Sequence, residues 1–429
     1  EPRDRIAALD AATGLAIEWN PGAGNRVWAL ALSGDGSTLY AGGAFINIGD
    51  MNRNYVAAID TESALVSEWN PNANGAVYAL ALSSDESWLY AGGEFTSVGG
   101  EVRNRIAALD AATGQATAWD PDADQQVRSI AISDDGSVVY AGGDFTTIGG
   151  ELRNRIAALD PATGLATPWN PNADGVVRVL ALSDDGSTVY AGGAFANIGG
   201  AARSRIAALD AATGLAAAWA PDADGDVYVM ALSGDASTLY AGGLFSNIGG
   251  ATRMHLAAIA AATGDSLNWN PSASGAVYAL ALSGDASTLY AGGAFTNIGG
   301  EDRNRIAALD ASTALATAWN PGANNWMQAL ALSEDNTVIY GGGRFTSMGG
   351  EMRERIAALD AATGLPMAWN PGANHWVQAL ALYGSTLYVG GEFGYIGEQS
   401  RNSFVQFDPV PPAGFGALQT CSVVSDGQV

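Results

Sequence analysis

The chain has 429 residues, 48% hydrophobic and only 15% charged, which supports a packed core and excludes intrinsic disorder. Its 44 acidic residues against 19 basic ones give a formal net charge of -25, a surface that repels nucleic acid and anionic lipid. The basic residues are all arginine, the 56 glycines follow no collagen period, and no apolar run is long enough for a membrane-spanning helix.

In chain order, the sequence opens in mid-pattern at EPRDRIAALD, which reads as a processed or trimmed start. Residues 5–20 then form an outer hairpin, RIAALD and LAIEW joined by an AATG turn. An inner hairpin follows, VWALALS and TLYAGGAF, joined by SGDGS. Short alternating segments bounded by Gly, Asp and Ser clusters are hairpins, and none carries a helical period. The pattern then returns every 50 residues. Trp recurs at Trp19, Trp69, Trp119, Trp169, Trp219, Trp269, Trp319 and Trp369, with Pro two residues later each time. A Gly-Gly pair recurs from 42–43 to 342–343, and again at 390–391 after a two-residue deletion.

A period near 50 residues signals a propeller or solenoid. The reading is all-β: an eight-bladed β-propeller over residues 1–400, with four antiparallel strands per blade. VYALALS is innermost, TLYAGGAF next, RIAALD third and LATAW outermost. Each repeat tryptophan is expected to pack against the neighbouring blade. The first outer hairpin precedes every inner one, so it closes the ring by pairing with the last inner hairpin at 377–393.

Residues 401–429 are left over. RNSFVQFD repeats the third-strand motif with bulkier side chains, Phe404 and Phe407, and a Pro-rich tail follows. This segment reads as a linker or an assembly element that could extend a sheet edge of a neighbouring chain. Its Cys421, the only cysteine, cannot form an intramolecular disulfide.

The units NPNANGAVYALALSSD…LYAGGEFTSVGGEVRNRIAALD and NPGANHWVQALAL…LYVGGEFGYIG resemble the delta-60 repeat β-propellers of bacterial secreted and surface proteins. The resemblance covers residues 1 to about 408 and implies surface exposure without a settled activity. It departs from that family in carrying Trp rather than Phe before Asn-Pro. The outer hairpin ALDAATGLAIEW is also similar to the tryptophan-docking motif of quinoprotein dehydrogenases. Those enzymes need an adjacent cysteine pair, which one cysteine cannot supply, so only the architecture carries over.

Catalytic constellations are sparse. His255 and His375 are the only histidines, too few for a three-His metal site, and no nucleophile elbow accompanies them. Asp35, Asp85, Asp135, Asp185, Asp235, Asp285 and Asp335 recur at one turn position, which points to turn architecture rather than a catalytic pair. The recurring Arg3, Arg53, Arg103, Arg153, Arg203, Arg253, Arg303 and Arg353 read as forks satisfying loop carbonyls. Asp222, Asp224 and Asp226 alternate in PDADGDV and form a weak calcium candidate; no other cofactor is expected.

The functional signal is variation inside a constant frame. The second residue of each inner strand changes from unit to unit: Trp28, Tyr78, Arg128, Arg178, Tyr228, Tyr278, Gln328 and Gln378. Trp326, His375 and Trp376 precede it in two adjacent units. Aromatic faces mixed with amides suit sugar rings or a protein loop. The expected ligand contacts are therefore Trp28, Tyr78, Tyr228, Tyr278, Trp326, Gln328, His375, Trp376 and Gln378. The expected function is a non-catalytic extracellular or cell-surface module for adhesion, recognition or assembly, whose partner is a surface protein or glycan. The alternatives are a structural subunit of a filament or sheath that self-assembles through its C-terminal strand, and a quinoprotein-like or polysaccharide-cleaving enzyme.

Overall fold

The computed structural model describes residues 4–11, 19–49, 51–333, 335–383, 386–393 and 396. Phe404, Phe407 and Cys421, and with them the assembly expectation for the C-terminal segment, lie outside the described residues. The described residues are all-β, without helix, and build a repeat β-propeller-like fold.

Each 50-residue unit forms a three-stranded antiparallel sheet. Val27–Leu32 pairs with Thr38–Gly43, which pairs with Val56–Asp60. The same order of inner, middle and third strand returns along the chain. The last sheet takes its third strand from the other end of the sequence, because Ile6–Asp10 pairs with Thr386–Gly391, which pairs with Val377–Tyr383.

The expected fourth strand is reduced to a single bridge, as at Leu109↔Ala116 and Leu159↔Ala166. The groups that would continue its ladder are taken elsewhere. The Ala116 amide donates to the Gly99 carbonyl, so the third strand keeps only the turn bonds at Asp110, from Gly114 N and to Gln115 O, and the Thr117 amide at Ala108. Arg103 then claims the Thr117 carbonyl at 2.7 Å while its other η nitrogen holds Val102 O, also at 2.7 Å. The same clamp recurs at Arg53, Arg153, Arg203, Arg253, Arg303 and Arg353, so these forks do satisfy loop carbonyls. A two-residue ribbon that the sequence pattern did not suggest replaces the lost strand. Ser97–Val98 pairs with Glu101–Val102 across Gly99-Gly100, whose φ values of +65° and +83° suit the mirror-image turns of tight hairpins.

The core lies between neighbouring sheets. Tyr40, Val56 and Ala58 of one sheet pack with Val77, Leu89, Ala91 and Leu109 of the next. Gly42 allows this approach, since a Cβ there would stand 2.7 Å from Val77 Cγ1. Trp69 joins the two sheets from the periphery. Its ring meets Tyr40 edge-on, centroids 5.3 Å apart, and its Nε1 donates to Asp110 O of the next sheet at 2.9 Å. All eight repeat tryptophans, each buried to within 4%, make the same pair of contacts. Trp369 donates to Asp10 O and meets Tyr340, while Trp19 donates to Asp60 O and meets Tyr388. The expected packing of tryptophan on the neighbouring sheet is therefore present at every unit.

The recurrent aspartates shape turns. Asp35 Oδ1 accepts from Ser33 Oγ at 2.6 Å and from the Ser37 amide at 2.9 Å. A second set caps the AATG turns, with Asp110 Oδ1 accepting from the Thr113 amide and hydroxyl. Hydroxyl and then amide donors favour the ionised form, holding Asp135, Asp185, Asp235 and Asp285 down to about 2 and Asp110, Asp160 and Asp360 below their ordinary value. Because these folded-state values are depressed, the stability they contribute is complete above pH ~4 and is lost as pH falls toward ~2. Circular dichroism is expected to stay native down to pH ~4 and to report cooperative loss below it. A transition centred near pH 6 would contradict this reading.

Candidate ligand-binding face

The variable position of the inner strand owes its orientation to a β-bulge. Val27 pairs with Gly43 and Ala29 with Gly42, leaving Trp28 as the extra residue. The same shift occurs at Tyr78, Arg128, Arg178, Tyr228, Tyr278, Gln328 and Gln378. A bulge re-aims its side chain out of the ladder. It also explains the second glycine of each Gly-Gly pair: a Cβ at Gly43 would sit 2.0 Å from the Arg26 carbonyl oxygen, because the bulged strand crowds its partner.

Aimed this way, the variable residues touch one another across neighbouring sheets. Trp28 and Tyr78 approach to 5.1 Å between ring centroids. Tyr228, Tyr278 and Trp326 form a row with spacings of 5.8 and 5.9 Å. Arg178 lies 5.9 Å from the Tyr228 ring centroid and pairs with Asp226 at 3.4 Å. Arg128 pairs with Asp144 at 2.6 Å. Burial, with the hydrogen bond to Glu94, holds the Tyr78 hydroxyl well above its ordinary range. His375 packs on Trp376 at 4.9 Å and faces Glu392, which also receives Arg26 at 3.0 Å. Gln328 accepts from Arg344 at 3.4 Å. Gln378 is 8% exposed and its buried carbonyl oxygen has no donor. The nine expected contact residues thus stand at equivalent strand positions or two to three residues before them.

A second variable position escaped the sequence reading. The residue between Gly-Gly and Phe is Ala44, Glu94, Asp144, Ala194, Leu244, Ala294, Arg344 or Glu392. Its amide donates to the carbonyl two residues before the bulge, as Ala44 does to Arg26 O, so its side chain joins the same array. The signal was the same, variation inside a constant frame.

Of the other features, Asp226 reaches this face through Arg178 and the rest lie apart from it. Asp222, Asp224 and Asp226 do not converge: Asp222 caps the Ser204 amide, Asp224 accepts from the Ser246 and Asn247 amides, and Asp226 pairs with Arg178. Among the described residues no group of three potential metal ligands forms. His255 occupies a position that is arginine in most units, at φ +64°, and burial lowers its pKa. A cleft of about 700 Å³ opens between two units beside Asn320, Gly322, Ser347 and Pro366. Gly322 lines it at the position where Asp122 receives Asn104 Nδ2 in another unit, and none of its lining residues belongs to the aromatic array.

No protein-family model and no curated protein matches the chain. Among solved structures, it is similar to the crystal structure of the computationally designed protein Ika8, at a TM-score of 0.59 and 16% identity, over 90% of this chain and 98% of that one. At that identity the likeness shows the fold alone. It supports a repeat β-propeller-like architecture, while the finer kinship to delta-60 repeats gains no family match.

Proposed function

We propose that the chain closes into an eight-bladed ring and acts as a non-catalytic recognition module outside the cell, taking a saccharide on the face built by the eight bulged residues. The ring reading rests on the tryptophan contacts, which run through every unit and return from Trp369 to Asp10, and on the inner strand Val377–Tyr383 lying beside Val27–Leu32. Kinship to delta-60 repeat propellers belongs to the same proposal, carried by the repeat motif.

One observation carries the recognition reading. The frame is nearly constant, yet aromatic, amide and charged side chains are concentrated where a bulge points them outward together. The Tyr228–Tyr278–Trp326 row supplies stacking faces, and Gln328 and Gln378 supply amides. The carboxylates Asp144, Asp226 and Glu392 are engaged by arginine, which favours binding over acid–base chemistry.

A panel of oligosaccharides screened by calorimetry tests the reading. Saturable binding is expected, lost when Trp326→Ala and Trp376→Ala are combined while the melting transition stays within a few degrees of the parent. Saturable binding left unchanged by the double substitution would move the site elsewhere.

A further inference from the structure

The arginines divide sharply by position. Fifteen of the 19 stand at one of two repeat positions; the other four are Arg26, Arg128, Arg178 and Arg344. All four sit on the bulged face. Three are neutralised there: Arg26 by Glu392, Arg128 by Asp144 and Arg178 by Asp226. Arg344 differs. Among the described residues no carboxylate lies within ion-pair distance of it. Its guanidinium carbon lies 3.7 Å from the Trp376 ring centroid and 4.8 Å from that of Trp326. Both distances are inside the range of cation–π attraction. Among the described residues only its ε nitrogen is engaged by a side chain, at 3.4 Å from Gln328 Oε1.

This arrangement holds the fork rigid and leaves its η nitrogens available. A guanidinium stacked on aromatic faces keeps its in-plane donors directed outward, and the planar fork matches a carboxylate bidentately. The neighbouring aromatic row ends at Trp326, so an anion at Arg344 would lie beside a stacking surface. A long polyanion does not suit the site, because the chain carries a net charge of -25 and the other cations of the face are already paired.

Resting on the recognition reading above, we infer that Arg344 is a specificity-determining residue for a saccharide bearing a single carboxylate, with the sugar ring on the Tyr278–Trp326 row and the acid group on the Arg344 fork.

The probe is a trisaccharide ending in one glucuronate, compared by calorimetry with its methyl ester, in chelator to exclude calcium bridging. The acid is expected to bind roughly 10- to 100-fold more tightly than the ester, the range of a charge-assisted hydrogen bond. Arg344→Met, which keeps an unbranched chain between the two indoles, should abolish the difference between acid and ester. Arg344→Lys, which keeps charge without the fork, should fall between. Equal binding of acid and ester would overturn the inference while leaving the recognition reading intact. An acid preference that survives Arg344→Met would overturn it in favour of another cation. Binding of neither sugar would remove both. Intrinsic tryptophan fluorescence, with Trp326 and Trp376 beside the site, verifies that each variant retains the fold.

Discussion

Replacing any one of the eight repeat tryptophans with alanine is expected to cost about 3–5 kcal/mol, the range for a large aromatic removed from a packed core. Each ring contributes in three ways. It buries about 150–250 Å², meets a tyrosine edge-on at 5.1–5.4 Å, and donates Nε1 to the end of a strand in the next sheet. Alanine leaves a cavity between two sheets and removes the hydrogen bond that ties them, while the strand-end carbonyl keeps its turn amide, as Asp110 O keeps Gly114 N. Phenylalanine, which keeps most of the ring, should cost less. The informative comparison is between interior positions such as Trp169 and the two that join the ends of the sequence, Trp19 and Trp369. In an open array the terminal interfaces fray, and damage there is cheap. In a closed ring every interface lies within one cooperative unit. Urea titration of Trp19→Ala, Trp169→Ala and Trp369→Ala should therefore give losses of similar size. A loss below ~1 kcal/mol at Trp19 or Trp369, with several kcal/mol at Trp169, would show the seam open.

Much of this architecture was legible in the repeat. The order of inner, middle and third strand followed from where small residues fall, since Gly42 and Ala41 stand where sheets approach closely. The tryptophan role followed from its strict recurrence. The fourth strand did not, because LATAW alternates like a strand while its hydrogen bonds are decided by residues remote in sequence. Arg103 and the Gly99 carbonyl capture groups that local pattern assigns to a ladder. The two-residue ribbons are shorter than any alternation that pattern could reveal. On the candidate face, the variable second position of each inner strand was visible in the sequence. That a bulge aims it could not be read from alternation, which places residue 28 on one face of a flat strand. The partners Glu94, Asp144 and Arg344 lie sixteen residues further on, and Glu392 seventeen beyond His375, across the hairpin, where spacing alone does not signal contact.

The bulge ties stability to the binding face, and Gly343→Ala tests that link. A Cβ at Gly343 would lie 2.2 Å from the Trp326 carbonyl oxygen and 3.0 Å from Met327 Cα. Both are backbone atoms, so no side-chain rotation relieves the clash; the bulged strand itself has to move. The expected loss is about 2–3 kcal/mol, toward the upper end for an overpacked core site. The displaced segment carries Trp326 and Gln328, and residue 343 adjoins Arg344. The aromatic row and the guanidinium stack should therefore be disturbed together, even where the other sheets stay folded. Gly300→Ala is the control. A Cβ there meets nothing within 4 Å, so its φ of +81° makes the strain purely conformational, and it belongs to a ribbon outside the array. That variant should lose ~1 kcal/mol and retain saccharide binding. Calorimetric affinity and melting temperature on both variants check the pair. Full binding by Gly343→Ala would mean that the bulge does not set the geometry of the face.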